Sequence, residues 1–323
     1  MRRFKSLGGP AFSISLLAVV LLVWLQRQAV YDWLRLYNYQ PPTTIAQLAS
    51  ATTMNDSARH LFYVQHPEIN DKPNFNDHCR EDEHTIVLGC YVSGRGIYLL
   101  DVNDPRLAGV EEVTAAHELL HAAYDRLGGD ELQRVRKLIT TAYDGVSDQR
   151  LRDTVEAYRK AGADTVNELH SILGTEVLTL PTELEAYYGG YFTNRMAIVG
   201  YSNSYQKAFS DRKAQADNYL VQMQQLKQQL QTSSQHINQT EQQLKIEAQA
   251  TENERTTTQD VAGFNAKVRA YNAKVAQLKI QINTYNQLVA QHNALLDAYN
   301  AIAFEENELI KAIDSRPSTL QAQ

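Results

Sequence analysis

From Phe264 to Tyr299 apolar residues return every seven positions, and no other feature restricts the fold of this chain so tightly. The series is Phe264, Val268, Tyr271, Val275, Leu278, Ile282, Tyr285, Val289, His292, Leu296 and Tyr299, in steps of four and three. That spacing holds one stripe on one side of a helix and demands a second helix against it. An Asn follows Phe264, Tyr271, Tyr285, His292 and Tyr299, which marks a true seven-residue repeat. A weaker series runs through Tyr219, Met223, Leu226, Leu230, Ser233, Ile237, Thr240 and Leu244. Between the two, Glu252 to Gly263 is polar and β-branched, and reads as a turn. Residues 203–314 are therefore expected to form an antiparallel coiled-coil hairpin with its turn near 252–263 and arms of ~55–75 Å. The rival is a parallel homodimer, which needs 252–263 to stay helical. Either form offers a surface for a protein partner or for self-association. His292 reads as a polar residue that sets register rather than as a ligand. Residues 315–323 read as a flexible tail.

The other end of the chain has a different composition. Arg2, Arg3 and Lys5 lie in a basic head, residues 1–6. Residues 7–25, LGGPAFSISLLAVVLLVWL, carry no charge. Nineteen residues of helix can just span ~30 Å of hydrocarbon. With the positive charges held inside, everything after Gln26 is expected outside the cell membrane. Gln26-Arg27-Gln28-Ala29 offers no small-x-small cleavage site, so the run reads as an uncleaved single-pass signal anchor rather than a removed signal peptide. Residues 26–42 form a juxtamembrane segment, in which Tyr31, Trp33, Leu34, Leu36 and Tyr37 are expected along the membrane face.

Residues 43–202 read as one compact α+β domain, mostly helical with a short hairpin. Thr44–Met54, Ser57–Val64, Asp130–Tyr143 and Asp148–Lys160 suggest helices. His66-Pro67 and Lys72-Pro73-Asn74 suggest a loop. Thr85–Val92 and Gly96–Val102 suggest two strands joined by Ser93-Gly94-Arg95. The only two cysteines, Cys79 and Cys90, fall in a part expected outside the membrane, so they are expected to pair, the alternative being two buried thiols. Arg80 to His84 reads as a solvated turn. A net charge of −6 gives no reason to expect nucleic acid.

The chemistry is concentrated in Thr114-Ala115-Ala116-His117-Glu118-Leu119-Leu120-His121-Ala122-Ala123. These residues all tolerate a helix, and positions i and i+4 share a face. His117 and His121 then point the same way and can grip one Zn2+ at ~2.0–2.1 Å each. Glu118 rotates off that line to where it can serve as general base. With nine His in the chain, this spacing arises by chance in about one chain in a hundred. The flanks are uncharged, as for a half-buried helix and unlike a surface one.

The segment resembles the active-site helix of the zincin metallopeptidases, down to Thr114 three residues before His117, the apolar residues inside the motif, and Ala122-Ala123 after it. The metzincin subclass does not fit, because Tyr124 and Leu127 stand at its Gly and third His positions. A glutamate-type zincin takes its third ligand from a later helix, often in an Asn-Glu pair. The resemblance thus implies Glu168 of Asn167-Glu168, with Glu176 and His170 as alternatives. It also implies a tyrosine or histidine donor for the oxyanion, for which His170 and Tyr188 are candidates, with Tyr187 and Tyr191 nearby. The hairpin before the motif would supply a strand edge for the substrate backbone.

Two functions follow as expectations. One is a membrane-anchored, outward-facing zinc metallopeptidase acting on a protein or peptide substrate, cell-wall peptide included. The other is an extracytoplasmic coiled-coil interaction or scaffold protein with a structural or inactive zincin-like domain.

Overall fold

The computed structural model describes residues 20–21, 26–79 and 86–316. The basic head, most of the expected anchor, residues 80–85 and residues 317–323 lie outside the described residues. Among those described, no helix is long and apolar enough to cross a membrane.

The described residues are mostly helical with one three-stranded sheet. In chain order come α1 (Arg27–Leu36), α2 (Thr43–Ala51), α3 (Asp56–Val64), β1 (Glu68–Asn70), α4 (Lys72–His78), β2 (Gly89–Val92) and β3 (Gly96–Leu100). Then follow α5 (Val110–Asp125), α6 (Gly129–Asp144), α7 (Gln149–Ala161), α8 (Thr165–Glu176), α9 (Thr182–Tyr188), α10 (Arg195–Arg255) and α11 (Val261–Ile313). The fold divides into two compact units, residues 1–208 with 309–323, and residues 209–308.

In the first unit β3 is the central strand, parallel to β1 and antiparallel to β2, with Cys90 opposite Tyr98. All five β3 residues are buried, which fits their unbroken apolar run. The expected loop between His66 and Asn74 instead contains β1 and α4. Asp71 explains the helix: its carboxylate accepts from the Asn74 backbone N–H, and Pro73 falls in the first turn, where no N–H is needed. Cys79 and Cys90 are disulfide-bonded, with Cα atoms 5.8 Å apart.

Helix α5 is the core of this unit. Ala115, Ala116, Leu119, Leu120, Ala122 and Ala123 are buried against α2, α3, α8 and the sheet. Small side chains let neighbours approach closely on several sides. Gly174 shows the same economy on α8: a Cβ there would lie 2.5 Å from Leu120 Cδ1 and 2.9 Å from Tyr188 Cε1. The C-terminal half of α8 therefore packs closely on α5 at Leu120.

The second unit is a pair of antiparallel helical arms. Lys267 pairs with Glu254 at 2.7 Å and Arg212 with Glu305 at 3.1 Å, near opposite ends of the arms. The break between helices covers residues 256–260, where the Asp260 carboxylate accepts from the Gly263 N–H and starts α11. Every first-arm position of the expected series is covered at least in part, and Leu244 is buried. In the second arm every position of the series is likewise covered at least in part except Leu296, which is 41% exposed beside a half-buried Leu295. Past the rod, Ser315 is buried and its Oγ donates to the Val87 carbonyl at 2.8 Å.

Candidate metal centre

One helical turn separates His117 from His121 on α5, and their ring centroids lie 4.8 Å apart at 70°. Glu118, one residue on, turns toward β2 and is only 5% exposed. Its room there depends on Gly89. A Cβ on Gly89 would sit 2.5 Å from Thr114 Cγ2, 3.0 Å from Glu118 Cγ and 3.1 Å from Glu118 Oε1.

Glu168 enters from the first turn of α8. Its Oε2 lies 3.8 Å from His117 Nε2 and 3.7 Å from His121 Nε2. Those separations are too long for hydrogen bonds. The same oxygen is buried and has no hydrogen-bond partner, an arrangement that costs stability unless a cation meets it. Ligands of a tetrahedral zinc at 2.0–2.2 Å stand about 3.3 Å from one another, so closing this triad requires shifts of a few tenths of an ångström. The neighbouring Asn167 fixes one ring: His121 Nδ1 lies 3.0 Å from Asn167 Oδ1. Donation from Nδ1 to that oxygen leaves the Nε2 lone pair facing Glu168. Two imidazoles with the carboxylates of Glu118 and Glu168 beside them, and an amide behind one ring, form a group that could hold a divalent metal ion.

The electrostatics agree with that capacity. Burial, reinforced by the charge of His117, lowers the His121 pKa to about 4, so this ring is neutral at pH 7. Burial also pulls His117 down, but Glu168 and Glu118 outweigh it and hold His117 above the ordinary histidine value. Burial raises Glu168, and the two histidines more than reverse this, leaving the carboxyl below its usual range. The site prefers a negative Glu168 beside one positive charge.

The triad and Glu118 open into a cleft of about 190 Å³ bounded by Val87, Gly89, Cys90, Tyr91, Tyr158 and Asn167. β2 is an edge strand of the sheet and forms one wall. Tyr158, from α7, also lines the cleft. Nothing in the amphipathic pattern of α7 singles Tyr158 out, and only the packing of α7 on α8 brings it to the cleft.

The remaining candidates lie elsewhere. Glu176 is held by Arg150 at 2.8 Å and Gln206 at 2.9 Å. His170 is fully buried, with Nε2 2.8 Å from Tyr187 Oη, among Tyr124, Tyr187 and Tyr188. Tyr188 donates to the His170 carbonyl at 2.6 Å, and Tyr191 reaches Tyr187. None of these side chains lines the cleft. A larger hollow of about 570 Å³ over the start of α5 is bordered by Asp101, Asp104, Glu111 and Glu112 and contains none of the candidate ligands.

Comparison of the chain with protein-family models, with curated proteins and with solved structures finds no match.

Proposed function

We propose that the chain is a membrane-anchored, outward-facing zinc-dependent metallopeptidase of the glutamate-zincin type. The observation that carries this reading is the unpartnered Glu168 Oε2, set almost equally far from His117 Nε2 and His121 Nε2. His117, His121 and Glu168 would hold the zinc. When bound, zinc polarises the scissile carbonyl and lowers the pKa of the attacking water.

The protein supplies the rest. The Glu118 carboxylate takes the proton of the attacking water and passes it to the leaving amine. The Tyr158 phenol, which lines the same cleft, donates to the oxygen that gains charge in the transition state. This role replaces the one expected of His170 or Tyr188. The free edge of β2 takes the peptide as an added strand, which aligns it past Glu118. Residues 7–25 would anchor the chain, and Val20 and Leu21, the two described members of that run, are more than half exposed. The rod supports a second role as a surface for a protein partner or for self-association, since Leu220, Val221 and Leu296 are exposed along it. Nothing in the charge pattern favours nucleic acid.

The test is zinc content and casein cleavage for the wild type and Glu118→Gln. Equal zinc with cleavage reduced ~10²–10⁴-fold is expected. Equal zinc with equal cleavage overturns the reading.

A further inference from the structure

Neither the cleft nor the rod uses helix α1, yet α1 is fastened to the first unit along one face. The Asp32 carboxylate is 7% exposed and receives both terminal nitrogens of Arg126, at 2.8 and 2.9 Å, and Gln28 Nε2 at 3.0 Å. His60 Nε2 stands 3.4 Å from the same group. Arg35 Nε donates to the Val64 carbonyl and Arg35 Nη2 to the Arg95 carbonyl, at 2.9 and 2.8 Å. His66 Nε2 donates to the Arg35 carbonyl at 2.6 Å.

The other face is bare. Trp33, Leu34 and Tyr37 are 61%, 60% and 64% exposed, and the Trp33 and Tyr37 rings lie 5.3 Å apart. Clustered apolar side chains of this size on a surface mark a contact. The position in the chain identifies it. The uncharged run ends at Leu25, and α1 begins at Arg27. A helix that starts where a membrane span stops, with Trp, Leu and Tyr on one face, suits the headgroup layer, where aromatic rings concentrate.

We propose that α1 lies flat in the outer headgroup layer of a phospholipid bilayer, with Trp33, Leu34 and Tyr37 inserted. This rests on the anchor reading of residues 7–25. Its consequence for the site follows from what α1 holds. Arg126 is the residue that ends α5, and Arg95 lies in the β2–β3 turn. His121 is five residues before Arg126, ~7.5 Å along the helix axis. Tyr91 and Ser93 tie the hairpin to Asp125 at 2.9 and 2.8 Å. One membrane-lying helix thus holds the end of α5 and the β2–β3 turn, and sets the height of the cleft above the lipid.

The chain has two tryptophans, Trp24 and Trp33, so two variants give separate reporters. Full-length Trp24→Phe and Trp33→Phe are reconstituted in phosphatidylcholine–phosphatidylglycerol vesicles. Each is then titrated with brominated lipid and with aqueous iodide. In Trp24→Phe, Trp33 is expected to lose roughly half its emission to lipid brominated near the headgroup and to be shielded from iodide, as for a ring inserted ~5–10 Å deep. Trp33 open to iodide and untouched by brominated lipid, with Trp24 quenched by lipid in the other variant, overturns this proposal and leaves the anchor standing. If neither residue is quenched by lipid, the anchor reading falls and this inference with it.

Discussion

Gly89→Ala tests whether β2 and the metal helix are fitted to each other. The new methyl group would lie 2.5 Å from Thr114 Cγ2 and 3.0 Å from Glu118 Cγ. Carbon atoms in good contact stand ~3.5–4.0 Å apart, so the strand must retreat by about 1 Å or Glu118 must turn away. Overpacking of this kind costs about 1–3 kcal/mol. For a unit of this size a loss of about 2 kcal/mol lowers Tm by about 4–8 °C. The effect on catalysis is larger in proportion, because a 1 Å misplacement of reacting groups costs about 10²-fold. Zinc should stay bound, since His117, His121 and Glu168 belong to α5 and α8. Stoichiometric zinc, a lowered Tm and kcat/KM down about 100-fold are therefore expected together. Thr114→Ser supplies the control. It deletes Cγ2 while keeping the hydroxyl that donates to the Val110 carbonyl at 2.7 Å. In the Gly89→Ala background it should restore about 1 kcal/mol, a coupling that a double-mutant cycle resolves. Strict additivity of the two changes, or Gly89→Ala with wild-type kcat/KM and Tm, would refute the argument.

Three further outcomes are expected. Asn167→Ala frees the His121 ring and should weaken zinc binding ~10–100-fold in competition with a chelator; unchanged affinity would remove Asn167 from the site. Zinc uptake near pH 7 should release protons, because His117 is held above the ordinary histidine value and must be neutral to ligate. Calorimetry in buffers of different ionisation enthalpy measures this release, which should fade as pH rises through the folded pKa, and a release that does not fade contradicts it. Asp32 is pushed up by burial but brought down further by Arg126 and Gln28, so its net folded pKa lies below the usual value. Its stabilisation is then complete above ~pH 4 and lost as pH falls through the folded pKa. Asp32→Asn should destabilise by about 3 kcal/mol at pH 7, with a gap to wild type that shrinks in urea melts at the lowest pH; a constant gap argues against the ion pair.

Features written in local spacing were the legible ones. His117 and His121 one turn apart, and the first-arm series from Tyr219 to Leu244, depend only on helical period. The disulfide came from counting cysteines in a part of the chain expected outside the membrane. Features made by packing were less legible. Asn167-Glu168 was a two-residue hint, and what brings Glu168 to the histidines is the packing of α8 along α5. Tyr158 carried no signal, since a tyrosine on an amphipathic helix is ordinarily core. β1 was hidden between Pro67 and Pro73 because a three-residue strand exists only through its pairing with β3. The exposure of Leu296 was invisible because Leu295 and Leu296 are chemically identical, and only the neighbouring arm distinguishes them.

X-ray absorption at the zinc edge, on the full-length protein loaded with one equivalent, addresses the coordination sphere itself. A first shell of nitrogen and oxygen at about 2.0–2.1 Å is expected, with outer scattering from two imidazoles and a change in that shell on Glu168→Gln. Spectra without two imidazoles, or a shell indifferent to Glu168→Gln, would contradict the assignment of His117, His121 and Glu168 to a single metal.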